Sequence, residues 1–210
     1  MKKRLTILTD MDGIVVDFLQ QWLDEYNEQY GRNVTKADIT EWDLHKVVPD
    51  GKLIYSILHS PGFFEHLQVI RGALAALDHM LTKGHDVVFV SAATGNALKD
   101  KETWIKKYTP FMKNRLLLAW DKTPKYYIEG HVMIDDGPHN IIAYRQARPS
   151  AFITGIEYPY TAPGIGAANV LYRYEDTERA WANMLRDIDL LAEGVQFRSP
   201  AIAVEGTVVS

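Results

Sequence analysis

The sequence predicts a three-layer α/β/α domain with a mainly parallel sheet and a small helical insertion after the first strand. Three observations carry this expectation. Short apolar runs alternate with helical patterns, as βα units require. About 60 residues separate the first run from the next helix-and-strand pair, far more than a crossover of a dozen or so residues needs. Two of the apolar runs also stop abruptly at paired acids, Asp10 with Asp12 and Asp135 with Asp136.

Residues 4–9 form the first expected strand. From Phe18 onward, Phe18, Trp22, Tyr26 and Tyr30 recur every fourth residue, a helical stripe that Gly31 is placed to stop. Residues 35–66 lack a strand pattern; Thr35 to Asp38 resembles a helix start, and "KLIYSILHS" reads as a helix ending near Pro61. Gly72 to Lys83 is amphipathic through Leu74, Leu77 and Leu81. Strands are expected at 86–91, 115–119, 131–134, 151–154 and 170–174, with helices over 96–108, from Pro138 to Ala147 and from Asp176 to Leu191. The division is then a core of residues 1–16 and 68–192, a helical cap over 17–67 and a tail over 193–210. The tail reads either as loose or as an arm docking on a neighbouring copy, which leaves a homo-oligomer open.

With 210 residues and 47% hydrophobic content, the chain suits one ordinary core. A net charge of -4 gives no global basic field for a nucleic acid polymer. There are no cysteines, which excludes disulfides, thiolate zinc sites and cysteine catalysis. Asp10 and Asp12 interrupt the N-terminal apolar run too early for a signal peptide, and no stretch reaches the ~20 apolar residues of a membrane helix. The expectation is a cytoplasmic protein without membrane contact.

In an open parallel sheet, ligands bind beyond the carboxyl ends of the strands. Four strand ends carry or precede polar groups here: Asp10 and Asp12, then Ser91, then Lys122, then Asp135 and Asp136. Clustered carboxylates repel one another, and a hard divalent cation such as Mg²⁺ removes that repulsion while also binding phosphate. Ser91 supplies a hydrogen-bond donor and Lys122 a cation for phosphoryl oxygens. Lys125 is the rival for that lysine. Two acids one residue apart also allow divided labour, one attacking phosphorus and the other moving protons.

Together, "TDMDGIVVDF", Ser91, Lys122 in "WDKTPKY" and "MIDDGPHNI" resemble the four ordered motifs of haloacid dehalogenase superfamily phosphohydrolases. The resemblance implies a Rossmann-like core, Asp10 as nucleophile, Asp12 as general acid/base, and Ser91 and Lys122 as phosphate ligands. It further implies Mg²⁺ held by Asp10, the Asp12 backbone carbonyl and Asp135, with Asp136 assisting. "ITEWDL", "PGFFEHLQVIRGALAAL" and "DKT" are similar to the 5′(3′)-deoxyribonucleotidase subfamily. That narrower likeness implies a nucleoside monophosphate as the small-molecule substrate, with Phe18, Trp42, Phe63 and Phe64 as candidates to stack its base. The sequence departs from the subfamily at "VSAAT" and at Arg71, which stands where a proline is usual. Two other readings remain at this stage, a phosphatase for a small non-nucleotide ester and a catalytically silent phosphate-binding protein.

Overall fold

The computed structural model describes residues 2–93, 96–112, 115–120 and 125–200. β1 (Thr6–Thr9) lies at the centre of a six-stranded sheet with β2 (Asp86–Ala93), β3 (Leu116–Trp120), β4 (Val132–Ile134), β5 (Phe152–Glu157) and β6 (Val170–Arg173). Their order is β3-β2-β1-β4-β5-β6, and every pairing is parallel. From β1 the chain builds outward through β2 and β3, then returns to the other side of β1 with β4. The strand order therefore reverses between β1 and β4, the place where open parallel sheets bind their ligands, beyond the carboxyl ends of the strands.

Alternate residues of the central strands enter opposite faces, as the two-residue strand period dictates. Ile7, Phe89, Val132 and Phe152 join the larger apolar cluster, which also takes in α2 (Ala73–Thr82) and α5 (Thr177–Ala192). Leu8, Val90, Met133 and Ile153 pack on the other face against Ile141 and Tyr144 of α4 (Pro138–Ala147). A further helix, α3 (Asn96–Tyr108), buries Trp104 and Ile105 in the larger cluster.

The segment between β1 and α2 is helical, as its lack of strand pattern predicts. α1 (Phe18–Tyr30) is capped by the Asp17 side chain and ends at Gly31, whose φ of 62° is the left-handed conformation that glycine adopts without strain. Beyond it are short 3-10 turns at Lys36–Asp38 and Leu44–Lys46, and a longer one at Gly51–His59. The stretch "KLIYSILHS" thus winds more tightly than an α-helix. Two backbone hydrogen bonds, Ile70 N to Val15 O and Asp17 N to Gln68 O, both 2.8 Å, tie the segment's exit to its return.

One sequence expectation is refined and another corrected. Leu74, Leu77 and Leu81 of α2 all pack on the larger cluster, with Leu74 and Leu81 half-buried, and Ala73, Ala76 and Met80 join Leu77 as its fully buried residues. The start of α2 comes close to α5: a Cβ on Gly72, the residue before the helix, would lie 3.1 Å from the Trp181 Cβ. β2 also runs two residues past Ser91, so Ser91 lies inside the strand. Residues 193–200 return to their own chain. Phe197 packs on Phe152 with ring centroids 4.7 Å apart, and the Asn169 amide donates to Arg198 O at 3.0 Å. The rest of the predicted tail, 201–210, lies outside the described residues. Among the described residues no helix is long and apolar enough to cross a membrane.

Candidate active site

Strand register brings the acids together. Thr9, the last residue of β1, pairs with Ile134, the last of β4. Asp10 and Asp135 are each the next residue out on adjacent parallel strands, so their side chains emerge side by side at the switch point. Asp10 N still donates to Ile134 O at 2.9 Å and Asp135 N to Thr154 O at 3.1 Å, which fixes both backbones. Asp10, Asp135 and Asp136 are all buried, and each offers a carboxylate oxygen within 4.8 Å of the others.

A glycine makes this crowding possible. Gly13 has φ 73°, and a Cβ there would sit 2.2 Å from Asp136 Oδ2. Both the backbone conformation and the space therefore exclude a side chain. After β4, Asp135 Oδ1 accepts from Gly137 N at 2.8 Å, an Asx-type turn that leads into α4.

Lys125 is the cation among these acids. Its Nζ lies 2.5 Å from Asp10 Oδ2 and 2.7 Å from Asp135 Oδ2, in a side chain only 8% exposed. Burial alone would lower its pKa, but the two carboxylates outweigh burial and hold the lysine charged. Lys122, favoured on sequence, lies outside the described residues. Asp135 is pushed above the usual carboxylate range by desolvation, against the pull of Lys125. Asp136 is pushed well above it by desolvation and then by repulsion from Asp135 and Asp10.

Asp12 points elsewhere. Its carboxylate is not part of the three-acid group; Oδ2 accepts from Lys101 Nζ at 2.6 Å. Lys101, 1% exposed, also donates to Ser91 Oγ at 2.8 Å and to Ala92 O at 2.9 Å, which occupies all three ammonium protons. Desolvation raises the Asp12 pKa, Lys101 opposes it, and Asp10 adds to it. Ser91 is fully buried with its hydroxyl oxygen turned to Lys101. Since that oxygen accepts, its proton remains to be donated.

The aromatic candidates fall on two flanks. Phe18 stacks on Phe64 at 5.9 Å and meets Phe63 edge-on at the same distance. Phe64, 9% exposed, carries Lys101 Nζ 5.2 Å from its ring centre, while Phe63 is 3% exposed. Trp42 is 43% exposed and meets His139 at 4.7 Å and Tyr160 at 5.5 Å, both edge-on. His139 is exposed on the first turn of α4, and Arg71 is exposed as well.

The sequence reading passed over several groups: Lys101, Asn140, which donates to Asp135 Oδ1 at 3.1 Å, and Tyr160, which donates to Asp136 Oδ2. Lys101 is hidden in a helix that reads as polar-faced. Its contacts with Asp12, 89 residues away in sequence, and with Ser91 reveal its burial.

The acid group fits a metal ion on chemical grounds. All of its donors are carboxylate oxygens, which hard cations prefer, and Asp136 Oδ1 is buried without a hydrogen-bond partner.

The architecture is a Rossmann-like parallel sheet with acids gathered where its strand order reverses. Solved structures share the fold. A HAD family hydrolase from Deinococcus radiodurans R1, with bound phosphate and sodium, aligns with TM-score 0.56 and 16% identity over 92% of this chain and 98% of that one. A haloacid dehalogenase-like family hydrolase from Streptococcus pneumoniae aligns with TM-score 0.56 and 10% identity over 88% of this chain and 98% of that one. A family model described as 5′ nucleotidase, deoxy (Pyrimidine), cytosolic type C protein matches residues 4–161, and the chain belongs to that family. Among relatives, a 5′(3′)-deoxyribonucleotidase of Clostridium acetobutylicum is 33% identical over 138 residues, covering 65% of this chain and 75% of the relative. Its Bacillus subtilis counterpart of the same name is 31% identical over 147 residues, covering 69% and 81%.

Proposed function

We propose that this protein is a Mg²⁺-dependent 5′(3′)-deoxyribonucleotidase of the cytoplasm, acting through an aspartyl-phosphate on Asp10. One observation carries the reading: Asp10 and Asp12 leave β1 in different environments beside the acids of β4. Asp10, Asp135 and Asp136 would hold the metal together with the Asp12 backbone carbonyl. Bound Mg²⁺ would neutralise the clustered acids and the phosphoryl oxygens.

The chain's own groups then divide the work. Asp10 attacks phosphorus, and the P–O bond to the nucleoside breaks in line. Asp12, with a raised pKa, gives its proton to the leaving oxygen. It then takes a proton from the water that attacks the phosphorus of the aspartyl-phosphate, releasing phosphate and restoring Asp10. Lys101 aims the Asp12 carboxylate and keeps it from turning toward Asp10. Lys125 balances charge at Asp10, and the Ser91 hydroxyl proton serves a phosphoryl oxygen, a role Lys122 would share. Residues 17–67 act as a cap that excludes water. Trp42 is an exposed flat surface for the base, and Phe18, Phe63 and Phe64 build the opposite wall.

A panel of phosphomonoesters tests the substrate class. Deoxypyrimidine 5′- and 3′-monophosphates are expected to give kcat/KM at least about tenfold above sugar phosphates and phosphoglycolate. Preferential turnover of the small acyclic esters would contradict the nucleotide reading. Absence of Mg²⁺-dependent release from every member would contradict the phosphatase reading altogether.

A further inference from the structure

Asp136 is the most lightly held acid of the three. Asp135 is fixed through Lys125, Gly137 N and Asn140. Among the described residues the Asp136 carboxylate has one hydrogen bond: Oδ2 accepts from the Tyr160 hydroxyl, while Oδ1 is buried without a partner. The rotation of that carboxylate therefore rests on a single phenol.

Tyr160 is itself immobilised. It is 6% exposed, and its ring stacks on Tyr158 at 5.2 Å with 7° between the planes. Tyr158 donates from its hydroxyl to Gly13 O at 2.9 Å, in the turn that follows Asp12. The neighbouring Thr161 hydroxyl donates to Asp136 O at 3.0 Å. One short segment after β5 thus grips both acid-bearing turns, and only the Tyr160 hydroxyl reaches a carboxylate oxygen.

We infer that Tyr160 is a positioning residue of the metal site. By engaging Oδ2 it turns Asp136 so that Oδ1 is the oxygen left for the cation. This rests on the Mg²⁺-dependent reading above. The remaining contacts of Tyr160, its stack on Tyr158 and its edge contact with Trp42, belong to the ring and survive in phenylalanine. Tyr160→Phe therefore separates positioning from packing.

The test is calorimetric titration of Mg²⁺ into the wild type and Tyr160→Phe, without substrate. The variant is expected to bind Mg²⁺ about tenfold more weakly or worse, as loss of a group that orients a ligand does. In an Asp136→Ala background the same substitution is expected to leave Mg²⁺ affinity unchanged, because there is no side-chain oxygen left to orient. Equal Kd values for wild type and Tyr160→Phe overturn the inference, as does an equal loss in the Asp136→Ala background. A wild type that binds no Mg²⁺ would instead overturn the metal reading of the site. If Tyr160→Phe fails to fold, the wild type supplies the test. Mg²⁺ is expected to perturb its ultraviolet tyrosine difference spectrum, and Asp136→Ala to abolish that change. A spectrum unmoved by bound Mg²⁺ overturns the inference.

Discussion

Asp10→Asn is expected to reduce phosphate release by about 10⁴-fold or more, since an amide cannot serve as the attacking group. The fold should persist. Asp10 is one of two acids on Lys125, and the ammonium keeps Asp135 at 2.7 Å when Asp10 is neutral. One source of repulsion on Asp136 is also removed. Thermal midpoints of the metal-free proteins check this, and the variant is expected to melt no lower than the wild type. A large drop in midpoint would assign Asp10 a structural role; undiminished turnover would exclude it as nucleophile.

Lys125→Met is expected to have the largest effect on stability. It removes the cation that bridges Asp10 and Asp135 and leaves buried acids uncompensated. Breaking such a buried arrangement costs about 3–5 kcal/mol. The sign with pH follows from the acids left behind. Desolvation already holds the folded-state pKa of Asp135 above the unfolded value, and loss of Lys125 raises it further. A carboxyl raised in the folded state costs stability above its folded pKa, and that cost is relieved as pH falls through it. The variant's deficit should therefore be larger at pH 8 than at pH 5. Mg²⁺ should also raise the melting temperature of Lys125→Met more than that of the wild type, because an added cation replaces the missing charge. A deficit that is independent of pH and of Mg²⁺ would mean that Lys125 acts through packing alone.

Much of this architecture is legible in the sequence, for local reasons. β-branched runs mark the strands, Gly31 marks the end of α1, and Pro138 marks the start of α4, all matching the elements formed. The acids of the site announce themselves because charged groups rarely follow a buried strand without a purpose. What stayed hidden depends on distant contacts. Lys101 looks like one more solvated lysine until Asp12 and Ser91 are placed beside it. Between Lys122 and Lys125 the "DKT" motif favours Lys122, which lies outside the described residues, while the structure puts Lys125 on the acids. The segment Pro159–Ala167, rich in Gly and Pro, has no period to read, yet Tyr160 and Thr161 both hold Asp136.

The central claim is that Asp10 carries the phosphoryl group between two displacements. Acid-quenching the enzyme during turnover of a deoxypyrimidine monophosphate, followed by peptide mass spectrometry, tests it directly. The quenched protein is expected to carry one phosphoryl group on the peptide containing Asp10, and in Asp12→Asn both its formation and its loss are expected to slow, because the same carboxyl protonates the leaving oxygen and activates the water. Phosphate release at full rate with that peptide unmodified in both proteins would contradict the account and point to direct attack by water.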